Sequence, residues 1–220
     1  MKLESAKAVL IFLHGSGDSG PGVRSALRQV ASGHFMATMR ERGVEVVTPS
    51  ADPRSYFESP LSLSSVWFDR TDMSPSAPEK TDSIEQSAKR LAALLDQVEQ
   101  AGVPAHRIVV GGFSMGGGMA LNLALREADR GLAGVFALSG YMCFQSPAFA
   151  LASAKRLPPV YMRHGAADGF ILPEWGAATA DELRALGTSV DFALVPGLEH
   201  SLTDDEVVQL TEWVCQILKV

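Results

Sequence analysis

The chain has 220 residues, 46 % of them hydrophobic and 20 % charged, with a formal net charge of −6. That length and balance suit one globular domain with a sizeable core and exclude a disordered chain. The acidic surplus gives no electrostatic footprint for nucleic acid or an anionic membrane.

Lys2 and Glu4 precede an apolar run that covers only Ala8 to Leu13, too short for a secretory signal, and no run reaches the length of a membrane span. No lipidation motif stands at either end. Cys143 and Cys215 lie far apart in apolar surroundings and read as buried free thiols rather than a disulfide. The expectation is a soluble cytoplasmic protein with no stable membrane anchor.

Ala8 to Leu13 is apolar throughout, as a strand covered on both faces should be. It runs into the loop His14-Gly15-Ser16-Gly17-Asp18-Ser19-Gly20-Pro21-Gly22. A helical pattern follows through Val23, Leu27, Val30, Phe35, Met36 and Met39, and Gly43 ends it. Val44 to Val47 is the next strand, stopped by Pro49. Residues 49–80 read as irregular, rich in Ser, Pro and Asp, with Tyr56, Phe57, Trp67 and Phe68 among them. Ile84, Ala88, Leu91, Leu95 and Val98 recur at helical spacing, closed by Gly102 and Pro104.

Arg107 to Val110 then reads as a buried strand that feeds the turn Gly111 to Gly118, and Met119 to Leu125 reads as a helix. Further strands are expected at Leu132 to Leu138, Pro159 to Arg163 and Val190 to Val195, with helices at Glu174 to Leu186 and Glu206 to Leu218. Strand and helix alternate with short connections and no internal repeat. This is the pattern of a mostly parallel α/β sheet with helices on both faces, read here as a single domain over residues 1–220 with no separate cap.

The turn carries the chemistry. Gly112-Phe113-Ser114-Met115-Gly116 spells G-x-S-x-G between a strand and a helix, the spacing of a nucleophile elbow. The glycines let the chain reverse tightly, and the following helix N-terminus aims free N–H groups at the serine. A serine hydroxyl needs a base, and the base needs a carboxylate to fix its tautomer. On this fold the partners follow in the order Ser, acid, His. Asp168, in the small-residue turn after the Pro159 strand, and His200, on the loop after the last strand, supply that order. Among the other histidines, His34 and His106 read as surface or capping residues, while His14 and His164 read as braces of the turns they enter. The oxyanion hole requires two backbone donors, expected at the N–H groups of Met115 and Ser16.

Two rival classes stay in view. Gly15-Ser16-Gly17-Asp18-Ser19-Gly20 also spells the dinucleotide fingerprint G-x-G-x-x-G after a strand. Against it, Pro21-Gly22 is expected to delay the helix, and no acidic residue tips the second strand. A catalytically silent hydrolase-fold binding protein is the other rival. No H-E-x-x-H or C-x-x-C occurs, and neither a metal nor a cofactor is expected.

Several stretches together resemble one family over nearly the full chain: Ile11 to Gly20, Val66-Trp67-Phe68-Asp69-Arg70, Gly111 to Gly117, Gly134 to Gly140, and Asp168 with His200. The chain is similar to the acyl-protein thioesterase and lysophospholipase-like carboxylesterases of the α/β-hydrolases. The resemblance implies Ser114, Asp168 and His200 as triad, Ser16 and Met115 as oxyanion donors, and Trp67 beside the acyl or leaving-group site. Ser-Met-Gly-Gly stands where the thioesterases usually carry Ser-Gln-Gly-Gly, and Gly-Ser-Gly-Asp-Ser-Gly where they carry Gly-Leu-Gly-Asp. Both departures are closer to the lysophospholipase-like branch. The N-terminal Cys that tethers some relatives to membranes is absent.

The expected activity is hydrolysis of short- to medium-chain acyl esters, or acyl-thioesters, through an acyl-enzyme on Ser114. The runner-up is a thioesterase or lysophospholipase of long acyl chains. Phe57, Leu61, Leu63, Trp67, Phe170 and Leu172 are candidate apolar walls of an uncapped site. The partner is a small-molecule substrate, and a homodimer stays an open alternative.

Overall fold

The computed structural model describes residues 6–152 and 155–220; Lys2 and Glu4 lie outside them. In chain order the described elements are β1 (Ala8–Leu13), α1 (Gly20–Gln29), α2 (His34–Glu41), β2 (Val44–Val47), β3 (Pro53–Tyr56), β4 (Ser59–Ser65), α3 (Thr81–Gln100), β5 (Ile108–Phe113), α4 (Met115–Arg126), β6 (Gly134–Leu138), α5 (Pro147–Leu151), β7 (Val160–Gly165), α6 (Pro173–Ala185), β8 (Val190–Val195) and α7 (Asp204–Leu218).

Six strands form one sheet in the order β2-β1-β5-β6-β7-β8, with every neighbour parallel. Parallel strands with helices on both faces bury both sets of alternating side chains. β1 shows this directly. Val9, Ile11 and Leu13 enter a core shared with α3, α4 and α6, whereas Ala8, Leu10 and Phe12 enter a second core under α1, α2 and α7. That is why β1 carries no polar residue. Parallel direction also brings the carboxyl ends of all six strands to one rim, and the loops after β1, β5, β6, β7 and β8 meet there. The fold is the parallel α/β architecture expected from the alternation of elements, in the α/β-hydrolase form that the resemblance implies.

Four local expectations are corrected. The helix expected between Val23 and Met39 is two helices joined by a 3-10 turn at Val30–Gly33, because Ala31 and Ser32 take left-handed backbone with φ of 50° and 53°. Pro21 does not delay α1, which starts at Gly20. Proline is tolerated in the first turn, where its missing N–H has no intrahelical partner to lose, and the Ser19 side chain caps the helix by accepting from the Gly22 N–H at 3.1 Å. Residues 49–80 are not irregular throughout: β3 and β4 pair as an antiparallel hairpin with a register shift at Ser55/Tyr56. A short helix, α5, lies between β6 and β7, where sequence periodicity gave no element.

Candidate active site

The elbow forms because three residues of β5 and α4 have no room for a side chain. A Cβ on Gly112 would come within 2.7 Å of the Gly116 carbonyl carbon, and one on Gly116 within 2.6 Å of the His14 carbonyl oxygen. A Cβ on Gly111 would overlap the Phe136 ring. Ser114 itself takes φ 55°, ψ −122°, a conformation rare for a residue with a side chain and the mark of a strained turn. Its N–H donates to the Leu138 carbonyl at 2.8 Å and its carbonyl accepts from Gly118 at 3.2 Å, so β6 and the first turn of α4 hold the strain in place.

Three groups expected from the sequence meet above this turn. The Ser114 hydroxyl lies 2.9 Å from His200 Nε2. His200 Nδ1 lies 2.7 Å from Asp168 Oδ2. The other Asp168 oxygen, Oδ1, accepts from the backbone N–H groups of Phe170 at 3.0 Å and Ile171 at 2.8 Å. Asp168 is 2 % exposed and Ser114 8 %, so both are buried, the carboxylate the more deeply. Asp168 can only accept from His200, which puts the proton on Nδ1 and leaves the Nε2 lone pair facing the hydroxyl. That arrangement can take a proton from Ser114.

His200 is also gripped sideways. The Phe113 and Phe170 ring centroids lie 4.9 Å and 5.1 Å from that of the imidazole, both tilted against it. Phe113 had no sequence signal beyond its place inside the elbow.

The β1–α1 loop runs beside Ser114. A Cβ on Gly15 would sit 3.6 Å from the Ser114 Cβ. Among the described residues neither the Ser16 N–H nor the Met115 N–H donates to a protein acceptor. Met115 opens α4, where the first N–H groups are free by construction. His14 is fully buried and braces the loop. Its Nδ1 lies 2.7 Å from the Gly15 carbonyl and its Nε2 accepts from the Ala51 N–H at 2.9 Å. Burial pushes the His14 pKa down, in keeping with a neutral ring that donates through Nδ1 and accepts through Nε2. Gly17 N–H to the Ser65 carbonyl, at 3.0 Å, ties the same loop to the end of β4.

The expected apolar walls divide. Trp67 is corrected: it is 1 % exposed, its indole N–H donates to the His14 carbonyl at 2.9 Å, and its ring lies 5.1 Å from that of His14. It supports the loop from beneath rather than facing a substrate. Phe57, at the tip of the hairpin, is half-buried against Tyr56 and the core. Leu61 and Leu63 are exposed on β4. Phe170 and Leu172 are partly exposed on the segment after Asp168, and the Phe170 ring lies beside that of His200.

One turn along α4 from Ser114, the space is nearly filled. Phe68, Arg70, Tyr141 and Cys143 close around a cavity of about 20 Å³ beside Gly118 and Asn122. The Arg70 guanidinium donates to the Tyr141 hydroxyl at 2.5 Å, and that hydroxyl donates to the Met73 carbonyl. The larger grooves lie elsewhere, one of about 360 Å³ beside α1, α2 and β2 and one of about 650 Å³ at the opposite end of the sheet around Arg107 and Pro158.

Comparison with known proteins gives one answer. The phospholipase/carboxylesterase family profile matches residues 1–217. Lysophospholipase-like protein 1 of Mus musculus is 37 % identical over 209 residues, 94 % of this chain and 85 % of the mouse protein. Acyl-protein thioesterase 1 homolog 1 of Dictyostelium discoideum is 27 % identical over 221 residues, 99 % of this chain and 93 % of its own. The crystal structure of Arabidopsis thaliana SOBER1 superposes with a TM-score of 0.84 at 25 % identity, covering 97 % of this chain and all of that one.

Proposed function

This chain belongs to the phospholipase/carboxylesterase family of α/β-hydrolases, and we propose that it hydrolyses short- to medium-chain acyl esters or thioesters through an acyl-enzyme on Ser114. It is a serine hydrolase, and its family works as carboxylesterases, acyl-protein thioesterases and lysophospholipases. The observation that carries the proposal is the unbroken chain of contacts from Ser114 Oγ to His200 Nε2 at 2.9 Å and from His200 Nδ1 to Asp168 Oδ2 at 2.7 Å.

Ser114 Oγ attacks the acyl carbonyl carbon while His200 Nε2 takes its proton. Asp168 keeps the Nδ1–H in place and stabilises the imidazolium. The carbonyl oxygen becomes an oxyanion between the N–H groups of Ser16 and Met115; one such donor is typically worth about 10²–10³ in rate. The carbon–oxygen or carbon–sulfur bond to the leaving group then breaks, and His200 hands that group its proton. Water, deprotonated by the same imidazole, attacks the ester carbonyl and releases the acid, and the proton returns to Ser114.

Chain-length preference is read from the filled space beside α4. A cavity of about 20 Å³ holds a single water, not an alkyl tail. Arg70 and Tyr141, hydrogen-bonded to each other, line this cavity, and Tyr141 is tied on to Met73. Exposed Leu61, Leu63, Phe170 and Leu172 offer only a shallow apolar rim. Residues 1–220 are taken as one hydrolase domain. Two free thiols support a reducing cytoplasmic setting, and no helix among the described residues is long and apolar enough to cross a membrane.

The test is Ser114→Ala. It should abolish turnover of a nitrophenyl ester and labelling by a fluorophosphonate; labelling that persists would remove Ser114 from the role.

A further inference from the structure

A second imidazole lies against the carboxylate that holds His200. His164, in β7, is 1 % exposed, and its Nε2 lies 2.9 Å from the Ile171 carbonyl and 3.4 Å from Asp168 Oδ2. Both neighbours of Nε2 are acceptors, so that nitrogen carries the proton. Nδ1 is buried with no partner among the described residues. It faces the backbone of α6 at Gly176, where an added Cβ would overlap Nδ1 and stand 3.2 Å from Cε1. The ring is therefore wedged in one orientation, between a glycine that leaves it room and a carboxylate it faces.

We infer that His164 is a positioning residue for Asp168: a fixed, neutral imidazole whose Nε2–H, shared between the Ile171 carbonyl and Asp168 Oδ2, holds the carboxylate at the angle His200 needs. This rests on the triad proposed above. Asp168 Oδ1 is already occupied by the Phe170 and Ile171 N–H groups. Among the described residues Oδ2 is met by His200 and His164, so His164 supplies the contact that keeps Oδ2 in place while His200 gains and loses its proton. The Ile171 contact does a second job, since it pins the turn whose own N–H groups hold Oδ1. Protonating His164 would create a buried N–H at Nδ1 with no acceptor, and burial keeps the ring neutral. The titratable groups that act on it are Asp168 and His200, and α6 meets the ring at the Gly176 backbone.

The experiment compares His164→Leu, His164→Gln and Gly176→Ala in the full chain, with p-nitrophenyl acetate as substrate, alongside Ser114→Ala and Asp168→Asn. Leucine removes the donor, glutamine restores an N–H close to the Nε2 position, and alanine at 176 displaces an unaltered imidazole. His164→Leu should lower kcat on the order of 10- to 100-fold with KM within about threefold. It should also move the acid limb of kcat/KM up by about half a pH unit, since a carboxylate with one donor fewer holds the imidazolium more strongly. Glutamine should recover most of both effects, and Gly176→Ala should reproduce the loss of kcat. The inference is overturned if His164→Leu keeps kcat within twofold. It is equally overturned if kcat falls with a fixed acid limb and no rescue by glutamine, the outcome of a purely structural role. Should His164→Leu fail to fold, Gly176→Ala decides: wild-type kinetics there would end the inference. If Ser114→Ala and Asp168→Asn stay active, it is the triad itself that fails.

Discussion

Replacing Asp168 by Asn should disable the site in a way that the local hydrogen bonds dictate. An amide has one acceptor end and one donor end, and the turn decides which goes where. The Oδ1 position receives two backbone N–H groups, from Phe170 at 3.0 Å and Ile171 at 2.8 Å, so the amide oxygen must lie there. The NH₂ then takes the Oδ2 position, 2.7 Å from His200 Nδ1. A donor there forces the His200 proton onto Nε2, where it points at the Ser114 hydroxyl and can no longer accept from it. The imidazole becomes the wrong tautomer, without any change of shape. A loss of about 10⁴ in kcat is expected for such an inversion, equivalent to about 5 kcal/mol of transition-state stabilisation. Stability should fall only modestly: both turn N–H groups keep their acceptor, and the buried His164 Nε2–H, which would face the new NH₂ at 3.4 Å, keeps the Ile171 carbonyl. The assay is kcat and KM for p-nitrophenyl acetate between pH 6 and 9, with thermal melting as the control for folding. A fall of less than about tenfold in a folded protein would show that some other carboxylate orients the base, and the reasoning from the Phe170 and Ile171 amides would fail.

Activity on nitrophenyl esters should peak between about two and eight carbons, because the space beside Gly118 is closed; a kcat/KM that climbs steadily to long chains would refute the closed-pocket reading and favour the long-chain thioesterase or lysophospholipase alternative. Gly116→Ala should cost about 1–3 kcal/mol and most of the activity, since its Cβ would press on the Leu13 and His14 carbonyls and displace the Ser16 loop. Gly169→Ala, with nothing near its Cβ, should melt like wild type, and equal melting of the two variants would contradict the steric account. Glu206 is 2 % exposed, neither of its carboxylate oxygens completes a hydrogen bond among the described residues, and burial pushes its pKa up to about 7, with Thr203 and Arg163 offsetting only part of the rise. The folded chain therefore keeps a proton that the unfolded chain releases. Stability from this group is full below about pH 4.5, drops as pH rises toward 7, and levels off above, by at most about 3 kcal/mol. Glu206→Gln should flatten that slope and raise the urea midpoint at pH 8; an unchanged midpoint there would contradict it.

Steric and order-based signals in the sequence carried over into three dimensions. Ser114 was legible because Gly112 and Gly116 flank it at a spacing that only close backbone approach requires. Asp168 and His200 were legible because each follows a strand of a parallel sheet, and such strands end at one rim. Signals that depend on non-local packing did not carry over. Residues 53–65 pair as a hairpin although serines occupy much of β4, because β4 draws its stability from β3 and from ties such as Ser65 to Ala51 at 2.9 Å and Gly17 to Ser65. Trp67 follows that hairpin in an aperiodic stretch, so nothing in its neighbours announced a burial of 99 %. The break at Ala31 and Ser32 adjoins Gly33, itself left-handed at φ 79°, but Ala31 and Ser32 carry no turn preference that marks them; they are held from outside, where Asp204 accepts the Ala31 N–H at 2.8 Å. His164 read as a turn brace, and so it is, but its approach to Asp168 depends on how the turn folds back over four residues.

The twisted backbone at position 114 means the molecule is at odds with itself at the proposed point of attack. A glycine there would sit at ease in φ 55°, ψ −122°, relieving a tension of roughly 1–3 kcal/mol. Natural drift thus has a downhill route toward a sturdier, inert descendant, and only purifying selection for turnover blocks it. Any lineage released from that selection should shed its serine early, leaving sound scaffolds with an empty crown.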